Sequence, residues 1–103
     1  MVAISKPVAK ARLENVPGEK RFWVNDGRYL SNLEELKAAL EAMPNETYLV
    51  HCNESKSDFS IWVKEVIGDA KLATDLKKSA SANGAAKSVA ARIKFLKTKA
   101  GAI

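Results

Sequence analysis

Apolar side chains recur at helical spacing in four stretches of this chain, and this periodicity constrains the fold more than any other feature. Spacings of three and four residues place side chains on one face of a helix, which is then buried against a core. Pro44 ends the first stretch, and Gly68 interrupts the second. The four sets are Leu33, Leu36, Leu40 and Met43; Phe59, Trp62, Val63, Val66 and Ile67; Leu72, Ala73 and Leu76; and Ala86, Val89, Ala90, Ile93 and Leu96.

Two short segments rich in aromatic and β-branched residues are predicted to be strands. Residues 21–24 form the first, and Asn25-Asp26-Gly27 is a turn after which Tyr29 and Leu30 either complete a hairpin or lead into the next element. Residues 47–52 form the second. The predicted order is β, α, β, α, α, α. The expected class is α+β, with a small two- or three-stranded sheet covered by three to four helices.

Short polar side chains mark where the helices are expected to begin. Ser31 is placed to accept a hydrogen bond from the backbone three residues on, while Glu34 reaches back to it. Asp58 and Asp69 precede the next two apolar stripes. We therefore expect Ser31, Asp58 and Asp69 to be N-caps.

A chain of 103 residues is long enough for one hydrophobic core, so a second domain is not expected. Changes in composition divide it into four parts. We expect a flexible basic arm over residues 1–18, an α+β core domain over 19–78, a linker or turn over 79–84, and a basic amphipathic helix with its tail over 85–103.

Cysteine usage and hydropathy narrow the class of protein further. Cys52 is the only cysteine, so no internal disulfide can form, and a reducing compartment fits best. No apolar run approaches the roughly 18 residues of a membrane span, and residues 1–7 lack the apolar run of a signal peptide. We expect a cytoplasmic protein that does not bind membranes.

Charge is distributed unevenly along the chain, whose formal net charge is +5. Residues 1–21 carry five basic and two acidic side chains, residues 22–70 have a net charge of −5, and residues 71–103 have a net charge of +7. Positive side chains near phosphates release counterions and give affinity for DNA or RNA without reading sequence. The basic ends therefore favour nucleic-acid binding, whereas the acidic middle would repel a duplex.

The leading hypothesis is a non-enzymatic small basic protein that binds nucleic acid or ribonucleoprotein non-specifically through its basic ends. Exposed aromatic rings could add stacking platforms for single strands. Phe59 and Trp62 are expected in the core, so Trp23 or Tyr29 beside the turn is the expected exposed ring. The expected phosphate contacts are Lys77, Lys78, Lys87, Arg92, Lys94, Lys97 and Lys99, although a solvated helix face would show the same pattern.

Two other functions stay open at this point. The first is a protein-interaction or self-assembly module that uses the acidic core or pairs the 89–96 stripe with another copy. The second is an enzyme built around His51 and Asp58. A possible functional cluster comprises His51, Asp58 and Trp62.

Residue types needed for catalysis or cofactor binding are sparse. One histidine and one cysteine cannot complete a tetrahedral zinc site without carboxylates, so we expect no metal and no cofactor. We expect Cys52 to be a small buried hydrophobe and His51 to hydrogen-bond towards Asp58. Serines 55, 57 and 60 lie nearby, but no nucleophile elbow accompanies them. Asn25-Asp26-Gly27-Arg28 lacks the glycine spacing of a phosphate loop.

Three separated blocks of the sequence, between about residues 20 and 78, resemble a small domain family of uncharacterised function found mainly in archaea and some bacteria. The resemblance implies an archaeal-type origin and a domain boundary near those limits, without an activity. The blocks are Phe22-x-Val24-x-Asp26-Gly27-x-x-Leu30-x-Asn32-Leu33-x-Glu35-Leu36, then His51-x-Asn53-Glu54-x-Lys56-x-Asp58-Phe59-x-x-Trp62-Val63, and then Val66-x-Gly68-Asp69-x-x-Leu72-Ala73.

Overall fold

A computed structural model describes residues 4–24, 27–53, 56–79 and 81–101. Over these residues the chain forms six α-helices and two short antiparallel strand pairs, which confirms the predicted α+β class. The helices are α1 (Lys6–Leu13), α2 (Leu33–Ala42), α3 (Asn45–His51), α4 (Asp58–Trp62), α5 (Ala70–Lys78) and α6 (Ala82–Ala100). The strands are β1 (Phe22–Trp23), β2 (Tyr29–Leu30), β3 (Cys52–Asn53) and β4 (Lys56–Ser57).

Of the two alternatives that the sequence left open for Tyr29 and Leu30, the structure has the hairpin, formed by β1 and β2. Phe22 is paired with Leu30 and Trp23 with Tyr29. Because successive side chains of a strand point to opposite faces, Phe22 and Leu30 are buried while Trp23 and Tyr29 face solvent. Residues 25 and 26 of the predicted turn lie outside the described residues.

Helix α2 ends as predicted, at Ala42 before Pro44, but its N-cap is one residue later than predicted. The side chain of Asn32 accepts a hydrogen bond from the Glu35 N–H at 2.8 Å. The Glu35 carboxylate in turn accepts from the Ser31 N–H at 2.6 Å. Ser31 and Asn32 are both competent caps, and the cap one residue later pairs with Glu35 rather than Glu34.

The predicted strand over residues 47–52 is wrong, because residues 45–51 form helix α3. Pro44 precedes the first turn, where its fixed φ is compatible with a helix. Tyr48 is buried, stacks on Phe59 with ring centroids 5.8 Å apart, and donates its hydroxyl to the Ser79 carbonyl at 3.2 Å. This packing overrides the β propensity of the segment. The strands therefore form two separate hairpins rather than one sheet.

Helices α4 and α5 are joined by a π-helical turn over Val63–Ile67. Ser57, rather than the predicted Asp58, caps α4 by accepting from the Ser60 N–H at 3.4 Å. Gly68 ends the π turn with a φ of 85°, a left-handed conformation that favours glycine. The next cap is as predicted, since Asp69 accepts from the Leu72 N–H at 3.0 Å.

The two ends of the described chain pack together. Residues 6–13 of the predicted flexible arm form α1, whose Ala9 is fully buried, and α1 packs against α6. Helix α6 starts at Ala82, inside the predicted linker, and also packs against α2 and α5. Its face containing Val89, Ile93 and Leu96 lies in the core. Among the described helices, none is long and apolar enough to cross a membrane.

Candidate functional site

An open groove of about 1040 Å³ lies between α1, α5 and α6. It is lined by residues of all three helices and by residues just before α1 and α5. The lining residues are Ile4, Arg12, Asp69, Ala70, Lys71, Asp75, Lys87, Ser88, Ala91, Arg92, Phe95 and Lys99.

The groove is built around the carboxylate of Asp69, which is fully buried. One oxygen caps α5. The other accepts from Nε of Arg92 on α6 at 2.7 Å and lies 3.6 Å from Nη1 of Arg12 on α1. One carboxylate thus joins three helices. Because two guanidinium groups share it, the cluster retains one positive charge.

The groove is electropositive. Its lining contains five cations and two carboxylates, a net charge of +3. Lys71 is paired with Asp75 at 2.7 Å. Neither Lys87 nor Lys99 has a carboxylate partner within the described ranges. A concave surface of one charge sign concentrates counterions and ligands of the opposite sign, so the groove favours anions.

Phe95 provides an aromatic surface inside this groove. Its side chain is 38% exposed. The Arg92 guanidinium lies 4.8 Å and the Lys99 ammonium 5.6 Å from the ring centroid. Both distances fall within the range of cation–π attraction. The groove therefore presents an apolar ring beside cations, an arrangement that can hold a planar group and a phosphate together.

The structure brings together three of the seven predicted phosphate contacts: Lys87, Arg92 and Lys99. Arg92 was predicted to be a surface charge, but its side chain is bound by Asp69 and is only 13% exposed. Lys97 lies on the α2 side of α6, 3.5 Å from Glu34. The other three, Lys77, Lys78 and Lys94, are exposed residues that do not line the groove.

The outer face of the β1–β2 hairpin forms a second distinctive surface. Trp23 is 51% and Tyr29 56% exposed, as expected for the rings beside the turn. The guanidinium of Arg21 lies 5.0 Å from the Tyr29 ring centroid. Phe59 and Trp62 are buried as predicted. We call Arg21, Trp23 and Tyr29 the hairpin face.

Within the predicted functional cluster, His51 and Asp58 meet but Trp62 is turned to another partner. Nδ1 of His51 lies 3.1 Å from Oδ2 of Asp58, which Lys56 also approaches at 3.3 Å. His51 is buried edge-on to the Phe22 ring, with centroids 5.2 Å apart. Trp62 donates Nε1 to the Lys20 carbonyl at 2.8 Å. These contacts tie α3, α4 and the hairpin together.

The polar groups around this pair have structural roles. The Ser57 hydroxyl caps α4, and the Ser60 hydroxyl donates to the Ala73 carbonyl at 2.7 Å. Ser55 lies outside the described residues. Cys52 is buried with its Sγ 3.6 Å from the Ser57 hydroxyl. No group of three or more His, Cys, Asp or Glu side chains that could hold a metal occurs in the described part of the chain.

Burial shifts the ionisation of one residue in this region. It raises the pKa of the Tyr48 phenol well above its ordinary value of 10.0, and the neighbouring Cys52 adds to the shift. The neutral phenol is therefore the form that the fold accommodates.

Sequence reasoning missed the groove because its walls come together only in the folded chain, although one wall carried a local signal. Arg12 and Asp69 lie 57 positions apart in sequence, and no local pattern predicts that they meet. The α6 wall did carry a signal, since its lining residues recur at helical spacing beside the buried stripe. They are Ser88, Ala91, Arg92, Phe95 and Lys99.

No protein-family model matches the chain, and no curated protein or solved structure matches it significantly. The resemblance to an uncharacterised domain family stays a prediction.

Proposed function

We propose that this protein binds nucleic acid without reading base sequence, in the groove between α1, α5 and α6, and that it is not an enzyme. The observation that carries the proposal is the convergence of the two basic ends of the chain. Helix α1 packs against α6, so Arg12 of the N-terminal segment and four cations of the C-terminal segment line one groove with a net charge of +3.

The cations of the groove fit phosphate recognition. Lys87 and Lys99 are compact charges on flexible stems, and each can follow a phosphate whatever base is attached to it. Neutralising a phosphate releases condensed counterions, which supplies affinity for any sequence. The ring of Phe95, between Arg92 and Lys99, offers a stacking surface of the kind that single strands use.

The arginines of the groove argue against sequence reading. A guanidinium that pairs with both acceptors of a guanine is the commonest base-specific contact. Arg12 and Arg92 are instead held at Asp69. Their orientation is fixed inside the fold, and the lysines are left to contact the ligand.

A charge reversal in the groove tests this proposal. We expect the Lys87→Glu/Lys99→Glu variant to bind a fluorescein-labelled 20-nucleotide single strand more than tenfold more weakly, measured by fluorescence anisotropy. The slope of log affinity against log salt should fall in magnitude by about 1.4, since each lost phosphate contact on a single strand contributes about 0.7. Homopolymers and mixed sequences should give the same result.

The matched control is Lys37→Glu/Lys64→Glu, which changes the net charge equally at residues that do not line the groove. It should keep most of the affinity. An equal loss in both variants would show that net charge, not the groove, governs binding. Unchanged affinity of the groove variant would refute the proposal.

A protein-interaction module was the other function left open by the sequence. In one form of this hypothesis, the apolar stripe over residues 89–96 pairs with another copy of the protein. Val89 and Leu96 are fully buried inside this chain, so the folded protein does not present that stripe. Docking through the acidic middle of the chain stays a prediction, for which light scattering without nucleic acid is the measurement.

A further inference from the structure

The hairpin face presents two large aromatic rings side by side to solvent. Trp23 and Tyr29 are directly paired across β1 and β2, and both are more than half exposed. Directly paired residues on one face of an antiparallel pair have Cβ atoms about 5 Å apart. The rings of Phe22, Tyr48, Phe59 and Trp62 are buried, which leaves Phe95 as the other partly exposed ring among the described residues.

The opposite side of the hairpin anchors these rings. Phe22 and Leu30 are buried. The Phe22 ring stacks on Phe59 with centroids 4.9 Å apart and meets Trp62 edge-on at 5.9 Å. The position of the exposed pair is therefore set by the core, and a planar ligand meets a surface that is already ordered.

Charge favours a base over an apolar protein segment as the occupant. Arg21 lies over the Tyr29 ring, where its guanidinium can meet the phosphate of a nucleotide whose base stacks on the hairpin. Lys20, Arg21 and Arg28 are exposed at this hairpin. Residues 19–30 carry three basic and two acidic side chains. Aromatic rings interleaved with cations are the pattern that single-strand-binding surfaces share.

We propose that the hairpin face stacks unpaired bases, so that the ligand of this protein is single-stranded nucleic acid rather than duplex. The bases of a duplex are stacked on one another, and their faces are closed to Trp23 and Tyr29. This inference rests on the proposed function, because it names the class of nucleic acid that the groove would hold. It adds a second contact, in which Trp23 and Tyr29 distinguish a single strand from a duplex.

The test compares one 20-nucleotide strand with the duplex of the same sequence, again by fluorescence anisotropy. Trp23→Ala/Tyr29→Ala should lower the affinity for the single strand by about tenfold or more, since stacking contributes about 1 to 3 kcal/mol per base. Affinity for the duplex should not change. Trp23→Phe/Tyr29→Phe keeps the ring faces and should restore most of the single-strand binding.

The matched control is Ile61→Ala, which removes an apolar side chain of similar exposure, 57%, from α4. It should leave both affinities unchanged. Far-UV circular dichroism melts verify that each variant folds.

The outcomes separate this inference from the proposed function. Equal losses on single strand and duplex, or no loss on either, overturn the stacking inference while the groove variant can still support nucleic-acid binding. If the wild-type protein binds neither ligand, both proposals fail. Self-association of the wild type without nucleic acid that is lost in Trp23→Ala/Tyr29→Ala would assign the hairpin face to a protein interface and overturn the inference.

Discussion

Tyr48 is the residue whose burial has the clearest consequence for solution behaviour. Its phenol lies in the core and donates to a backbone carbonyl of Ser79. Burial disfavours the phenolate, so the folded protein holds the proton more tightly than the unfolded chain does. A raised pKa of this acid stabilises the fold below the unfolded value of about 10. The contribution is lost as pH rises above that value.

We predict that the free energy of unfolding falls more steeply above pH 10 in the wild type than in Tyr48→Phe. The phenylalanine variant has no phenol to ionise, although it loses one hydrogen bond, which costs about 0.5 to 1.5 kcal/mol near neutral pH. Urea unfolding between pH 8 and pH 11.5 measures both effects. Parallel pH profiles for the two proteins would contradict the prediction.

The sequence predicted one helix N-cap correctly and placed two others one residue away from their true positions. Asp69 was predicted because no other capping side chain stands next to it before an apolar stripe. At 31–32 and again at 57–58, two adjacent polar residues are both chemically able to cap. The structure uses Asn32 and Ser57. Local chemistry alone could not decide between neighbours one residue apart.

Three helices, α1, α5 and α6, are joined by the buried carboxylate of Asp69. Asp69 caps α5, binds Arg92 of α6 and lies near Arg12 of α1. Removing one partner of a buried ion pair typically costs about 3 to 5 kcal/mol, because the remaining charge is left without compensation. Loss of the N-cap adds about 1 kcal/mol.

We therefore predict that Asp69→Ala lowers the free energy of unfolding by about 4 to 6 kcal/mol, the sum of the two losses. Asp69→Asn should cost about 1 kcal/mol less, since its side chain still caps α5. The control Asp75→Ala breaks the exposed pair with Lys71 and should cost less than about 1 kcal/mol. Chemical denaturation measures all three, and similar values for Asp69→Ala and Asp75→Ala would disprove the linking role.

Helix α3 is the secondary-structure element that the sequence predicted wrongly, as a strand. Residues 47–52 have the aromatic and β-branched composition of a strand, and they lack the long apolar period that identified α2 and α6. The helix forms because Tyr48 packs on Phe59 and reaches Ser79. Those partners are 11 and 31 positions away. A segment of seven residues is too short for local propensity to resist such contacts.

The whole molecule is organised around α6, which packs against α1, α2 and α5. The sequence predicted the buried stripe of this helix and its exposed lysines. It did not predict that the N-terminal segment would pack on α6, because α1 has no sustained apolar period and only Ala9 is buried on it. For the same reason the sequence did not predict the groove, which needs α1, although it predicted three of the five cations that line it.

We predict that this architecture unfolds as one unit. Leu96 is fully buried, so Leu96→Ala should cost about 2 to 5 kcal/mol. The exposed neighbour substitution Lys94→Ala should stay within about 0.5 kcal/mol of the wild type. Tryptophan fluorescence and far-UV circular dichroism should report the same midpoint in every variant. A separate early transition for α6 would instead show that this helix is an appendage.

The π-helical turn at Val63–Ile67 also sets the rotational phase of everything that follows it. A π turn holds one residue more than an α turn. Deleting Lys64 or Glu65, both exposed, would return the turn to α geometry and rotate the next segment by about 100° around the helix axis. Asp69 would then leave Arg92. The number of residues between Phe59 and Asp69 is therefore more strictly constrained than the identity of the exposed residues among them. Evolutionary variation there should consist of substitutions and not of insertions or deletions.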